Sequence, residues 1–187
     1  MSSHATLLFL MGPTCAGKST LMQVLKQRLP DKIGLVEVGK ELRAKYPPSY
    51  FAGQNNPAHT AAEAWDLCVA GIKREGDAGR THILIDGQPR DVPQVRKCLN
   101  DFPGQPKRFV LLTADLEVRR QRAIQGRGND PENLELAMKR LTNDMIAYYA
   151  VLAELLLRGA FVDTYDTSGI ENTEEAITEL SRNIMGF

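Results

Sequence analysis

The sequence predicts an α/β protein: a five-stranded parallel sheet with helices on both faces, in a single domain spanning residues 1–187. Three observations predict it. Short apolar runs alternate along the whole chain with longer segments of helical periodicity. The central runs are apolar at nearly every position, the pattern of strands covered on both sides. Glycine or proline punctuates the segment ends, leaving crossover connections rather than tight hairpins between runs.

The elements follow in order. Thr6–Met11 is the first strand, closed by Gly12. Lys18–Leu29 carries Leu21, Val24, Leu25 and Leu29 on one helical face and ends at Pro30. Ile33–Val38 is the second strand, and Gly39–Lys45 a short helix stopped by Pro47 and Pro48. Ala58–Glu75 is helical, with Trp65, Leu67, Val69 and Ile72 as packing residues and His59 at the surface. Thr81–Asp86 is the third strand, Pro93–Asp101 a short helix, and Arg108–Thr113 the fourth strand. Leu116–Gln125 and Glu132–Arg158 are helices flanking a break at Gly126–Asn129. Ala160–Tyr165 is the fifth strand, and Thr173–Ile184 the closing helix. Parallel sheets bind ligands beyond the carboxyl ends of their strands, so the chemistry should lie directly after these runs.

Composition narrows the chemistry. The 23 basic and 23 acidic residues cancel, so no bulk field draws the chain to nucleic acid or to a membrane surface. Any anion must be held by a local cluster of charge. The three cysteines, Cys15, Cys68 and Cys98, are too widely spaced for a disulfide framework or a zinc motif and are read as half-buried thiols. The first apolar run stops at Gly12 without a basic segment before it, so neither a signal peptide nor a membrane span is expected. A cytoplasmic monomer is the expectation.

The most specific motif follows the first strand. Gly12-Pro13-Thr14-Cys15-Ala16-Gly17-Lys18-Ser19 fits G-x-x-x-x-G-K-S/T between a strand and a helix, and Thr20 continues it. Glycines let the backbone wrap phosphate oxygens with its N–H groups, and the helix N-terminus adds partial positive charge. Lys18 can reach terminal phosphates, and the Ser19 hydroxyl can ligate Mg²⁺.

After the third strand comes Asp86-Gly87-Gln88-Pro89-Arg90-Asp91-Val92-Pro93-Gln94. Arg90 offers a planar fork for phosphate oxygens, Gln94 an amide with donors and an acceptor, and Asp86 a carboxylate placed to hold Mg²⁺ through its water shell. Read alone, Asp86 could equally cap the next helix and Pro89 only shape a turn. With these residues the chain resembles the nucleoside monophosphate kinases, closest to the short-lid adenylate kinases. Their pattern D-G-F-P-R-x-x-x-Q is met except that Gln88 replaces the aromatic residue. The resemblance runs through nearly the whole chain and implies a P-loop NTPase fold. It implies a monophosphate-binding helical flap over residues 39–80 and a short lid over residues 122–132. It further implies that Arg90 grips the acceptor phosphate, that Gln94 reads an adenine edge, and that Gly39, Arg43 and Gly87 belong to the acceptor site. Val38 and Lys40 depart from the family's segment there, which carries a hydroxyl and an acid.

Arg119, Arg120, Arg122, Arg127 and Arg140 form the strongest basic cluster. Arg127-Gly-Asn-Asp130 and Lys139-Arg140-Leu141 resemble the family's lid and following helix, with Asn129 in place of an acid. Arg119 and Arg120 could as well line a solvated helix face. Transfer between phosphates needs in-line positioning and neutralisation of charge, which Lys18, Arg90, Arg122, Arg127 and Arg140 can supply as catalytic cations. Gly126 and Gly128 would let a lid close and exclude water.

The expected activity is Mg²⁺-dependent transfer of the ATP γ-phosphate to a nucleoside monophosphate, AMP first. A UMP/CMP kinase, a kinase for another small acceptor and a non-catalytic nucleotide-binding protein are the alternatives. Acceptor-dependent turnover separates them.

Overall fold

A computed structural model describes residues 5–46, 58–170 and 174–185. Five strands are seen: β1 (Thr6–Met11), β2 (Ile33–Val36), β3 (His82–Asp86), β4 (Lys107–Thr113) and β5 (Val162–Asp166). They form one sheet in the order β2-β3-β1-β4-β5, and every neighbouring pair is parallel. The helices are α1 (Lys18–Arg28), α2 (Val38–Lys45), α3 (Ala58–Asp77), α4 (Val92–Asn100), α5 (Leu116–Arg127), α6 (Pro131–Leu157) and α7 (Glu174–Met185).

The period of two along β1 sorts its side chains between two cores. Leu7, Phe9 and Met11 join the cluster containing Trp65 and Ile72 of α3, Val95 of α4 and Val151 of α6. Leu8 and Leu10 join Leu21 and Leu25 of α1 and Leu180 and Ile184 of α7. Helices therefore cover both faces. Phe9 stacks on Phe109 of the neighbouring strand, with ring centroids 5.1 Å apart. Each such large buried side chain contributes roughly 1.5–3 kcal/mol, so β1 is the most heavily anchored element.

The strand order also positions the ligand-binding edge. From β1 the chain travels outward to β2 on one side, whereas from β4 it travels to β5 on the other. Connections that depart in opposite directions leave a crevice above the carboxyl end of β1.

Several expected boundaries shift by one or two residues, among them β5, which begins at Val162 rather than Ala160, and two of the shifts bear on the site. The second strand stops at Val36, and Val38 opens α2 instead. Val38 is buried in the core either way, and an apolar residue gives the same signal in a buried strand or helix. Helix α5 continues through Gly126 to Arg127, leaving a link of only residues 128–130 before α6. A glycine costs a helix only about 1 kcal/mol, and packing of α5 on α6 around Ala123, Ala137 and Leu141 outweighs it. Cys68 and Cys98 are fully buried, not half-buried as their spacing suggested; Cys15 is half-buried. Trp65 and Ile72 pack into the core, with Leu67 and Val69 at its margin. None of the described helices is long and apolar enough to cross a membrane.

Candidate functional site

The loop from Gly12 to Gly17 lies above the carboxyl end of β1. At Gly12 the backbone has φ +134°, and a Cβ there would lie 2.1 Å from the Leu112 carbonyl oxygen of β4. Only glycine lets the loop leave the sheet at that angle. Cys15 and Gly17 are both left-handed, at φ 63° and 91°, with Ala16 between them. Alternation of this kind turns successive N–H groups inward and makes a concavity for an anion. Gly17 is also the N-cap of α1, which has no side-chain cap bond and no acidic residue in its first turn. The positive end of that helix is thus open to a ligand. Ser19 and Thr20 are exposed on the same turn.

Lys18 folds back over the loop. Its Nζ donates to the carbonyls of Gly12 and Pro13 at 2.7 and 2.9 Å. Burial pulls its ammonium down from its ordinary value; the carboxylates of Asp86 and Asp144 oppose that shift, and the Arg90 guanidinium adds to it. Lys18, Asp86, Arg90 and Asp144 therefore share one electrostatic neighbourhood.

Three further elements hold the loop. Asp144 of α6 accepts from the Thr14 amide at 2.8 Å and from the Thr14 hydroxyl through the same carboxylate oxygen. Tyr148, one turn further along α6, is buried and hydrogen-bonded to the Gly12 backbone; burial raises its phenol above the ordinary value, against the pull of Arg90. From the other side, the Thr167 hydroxyl, just beyond β5, lies 3.2 Å from the Ala16 carbonyl and 3.0 Å from that of Thr113. Arg122 of α5 donates to the Thr167 carbonyl at 2.7 Å, to its hydroxyl at 3.0 Å and to the Cys15 carbonyl at 3.4 Å. Asp144, Tyr148 and Thr167 escaped the sequence reading. The rule that function follows strand ends could have found Thr167, and an acid four residues before a tyrosine on a core-facing helix could have flagged the other two.

The β3–α4 turn supplies the opposite wall. Arg90 Nε donates to the Gly87 carbonyl at 2.9 Å, and a Cβ on Gly87 would lie 3.0 Å from Arg90 Nη2. Asp91 caps α4 by accepting from the Gln94 amide at 2.8 Å. The Gln94 carbonyl oxygen accepts from the Arg90 amide at 2.8 Å, and its Nε2 lies 3.5 Å from the Ala61 carbonyl. Gln94 is thus a buried brace of the turn. Among the described residues, Asp86 Oδ1 and Gln88 Oε1 are buried without hydrogen-bond partners.

The remaining expected residues are more scattered. Arg43 is exposed on α2, and a Cβ on Gly39 would lie 3.2 Å from its Nη1. Arg140 is half-buried on α6. Residues 47–57 of the expected flap and the Arg127 side chain lie outside the described residues. Arg119 is neither a lid residue nor solvated: it is buried, donating to the carbonyls of Ala114 at 3.0 Å and Leu141 at 2.9 Å, and so pins α5 to α6. Arg120 is exposed.

A cleft of about 730 Å³ runs from the loop along α1, between α5 and the segment after β5, and is lined by Lys18, Thr20, Gln121, Arg122, Ser168 and Ile177 among others. Its volume is in the range of small-molecule sites. No protein-family model matches the chain.

Proposed function

We propose that the protein is a nucleoside monophosphate kinase of P-loop NTPase type, transferring the ATP γ-phosphate to a nucleoside monophosphate. The observation that carries this reading is the convergence of Lys18, Asp86 and Arg90 above the carboxyl ends of β1 and β3. A triphosphate alone needs the first of these cations. A second cation across the carboxylate gives a second phosphate its own partner, as transfer between two phosphates requires.

In this mechanism the loop amides and the α1 N-terminus hold the donor phosphates, with Lys18 leaving its carbonyl partners to follow the terminal phosphate. Arg90 binds the acceptor phosphate through a guanidinium already oriented by Gly87. Arg122 keeps the loop in register with β5, and Arg127 and Arg140 are the proposed cations of a short lid that excludes water. The acceptor oxygen is anionic at neutral pH, so no general base is needed. Mg²⁺, carried with ATP, would neutralise charge on the transferring group. Asp86 Oδ1, buried without a partner among the described residues, and the exposed Ser19 hydroxyl are hard oxygen donors that fit it.

Within the class, AMP is the first expectation from the family resemblance. One observation favours a different acceptor, a pyrimidine monophosphate or another small phosphate ester: Gln94 is buried, and both ends of its side-chain amide are turned to the protein, the oxygen to the Arg90 amide and Nε2 toward the Ala61 carbonyl. A diphosphate-formation assay with ATP·Mg against AMP, dAMP, UMP, CMP and GMP tests both levels. Turnover with at least one acceptor is expected. Tight ATP binding without turnover of any would overturn the kinase reading, and a pyrimidine well ahead of AMP would overturn only the adenine assignment.

A further inference from the structure

Helix α6 has two apolar faces. One packs inward through Ala137, Leu141, Tyr148, Val151 and Leu155. The opposite one is exposed and carries Ile146, Tyr149, Ala150, Ala153, Leu156 and Leu157. At 100° per residue these six fall within an arc of about 120°, the width of a helix face that packs against protein. Phe161, just beyond the helix, prolongs the patch. The five large side chains are each 62–82% exposed. The same line of the helix behaves differently nearer its start, where Glu135 and Lys139 form an exposed ion pair at 2.7 Å. Water-facing helix surface is polar in that way; the stretch from Ile146 to Leu157 is not.

We propose that this face is the two-fold interface of a homodimer, with α6 packed antiparallel against α6 of a second copy. The five large side chains present roughly 700 Å², close to the ~800 Å² that each partner contributes to a standard-size interface. The stripe is also self-complementary. Its midpoint falls between Ala150 and Ala153, so an antiparallel pair brings small residues to the crossing point and sets Ile146 of each copy near Leu157 of the other. The chain's 23 basic and 23 acidic residues leave no net charge to resist association. This proposal departs from the expectation of a monomer, and it does not depend on the kinase reading.

Sedimentation equilibrium of the full chain in the micromolar range tests it. The wild type should behave as twice the 20.7 kDa of one chain. Ala153→Glu should give a monomer with an unchanged far-ultraviolet circular dichroism spectrum, and Lys139→Glu, on the polar third of α6, should stay dimeric. Mixing Ala153→Glu with Ala150→Lys chains should restore a heterodimer, because the antiparallel pairing sets position 150 against position 153. A wild type that stays monomeric overturns the proposal, as does one that instead co-sediments with phosphatidylcholine–phosphatidylserine vesicles. A dimer indifferent to Ala153→Glu, or a mixture that stays monomeric, overturns the α6 pairing.

Discussion

The β1–α1 loop and the β3–α4 turn face each other across the same crevice, yet they are finished to different degrees. Around the loop, Lys18, Asp144, Tyr148, Thr167 and Arg122 all bond to its backbone or to the side chain of Thr14. The turn is braced at Arg90 and Gln94 but leaves Asp86 Oδ1 and Gln88 Oε1 buried and unpaired among the described residues. A buried acceptor without a donor costs about 1–3 kcal/mol. The groups that hold the loop are thus all paired, whereas these two oxygens of the turn have no donor among the described residues.

The largest effects should come from the cations that join the two regions. Lys18→Ala and Arg90→Ala are each expected to lower turnover by ~10²–10³, the usual effect of removing one preorganised charge from a transferring group. Normal steady-state constants for Arg90→Ala would move the acceptor site away from the turn. Next comes the loop's exit from the sheet. Gly12→Ala should cost about 3 kcal/mol by thermal or urea unfolding, because its methyl collides with the Leu112 carbonyl.

The support beneath the turn responds to alkali. Burial holds the Cys68 thiol up at about 12 and raises Cys98 in the same direction. The unfolded thiols lose protons from about pH 8.5 while the folded ones keep them, so folding stability falls as pH rises above that value. A loss of about 4 kcal/mol between pH 7 and 10 is expected from the pair. Urea titrations of Cys68→Ala/Cys98→Ala should show a flatter profile over that range; an equal slope would assign the loss elsewhere.

Smaller changes separate positioning from chemistry. Asp144→Asn should raise the Michaelis constant for ATP about tenfold with a lesser change in kcat, since it weakens the charge-assisted bond to Thr14 before any chemistry. The least effect, and of opposite sign, belongs to the turn. Gln88→Leu should raise the melting temperature by about 2–4 °C by removing a buried carbonyl oxygen that has no donor among the described residues. If Gln88 already satisfies its acceptor in the free protein, Gln88→Leu will instead lower it.

Legibility in the sequence followed the same division. The sheet was readable because buried parallel strands are continuous apolar runs, and the Gly12–Ser19 motif because its spacing is set by local backbone geometry. Asp144, Thr167 and Arg119 were not, because their roles depend on partners 130, 151 and 22 residues away. No local pattern encodes such a pairing. The exposed stripe of α6 was hidden for another reason. A helix that is apolar on two sides looks, in sequence, like a helix that is simply buried.

The Thr167 hydroxyl has a consequence in time as well as space. Ala16, which it props, leaves the ribosome 151 residues ahead of Thr167. A nascent chain that has emerged only as far as β4 carries the whole Gly12–Ser19 motif but lacks the peg that holds Ala16 and Arg122 in place. The loop should therefore reach its final shape only when β5 docks beside β4, rather than when the motif itself appears.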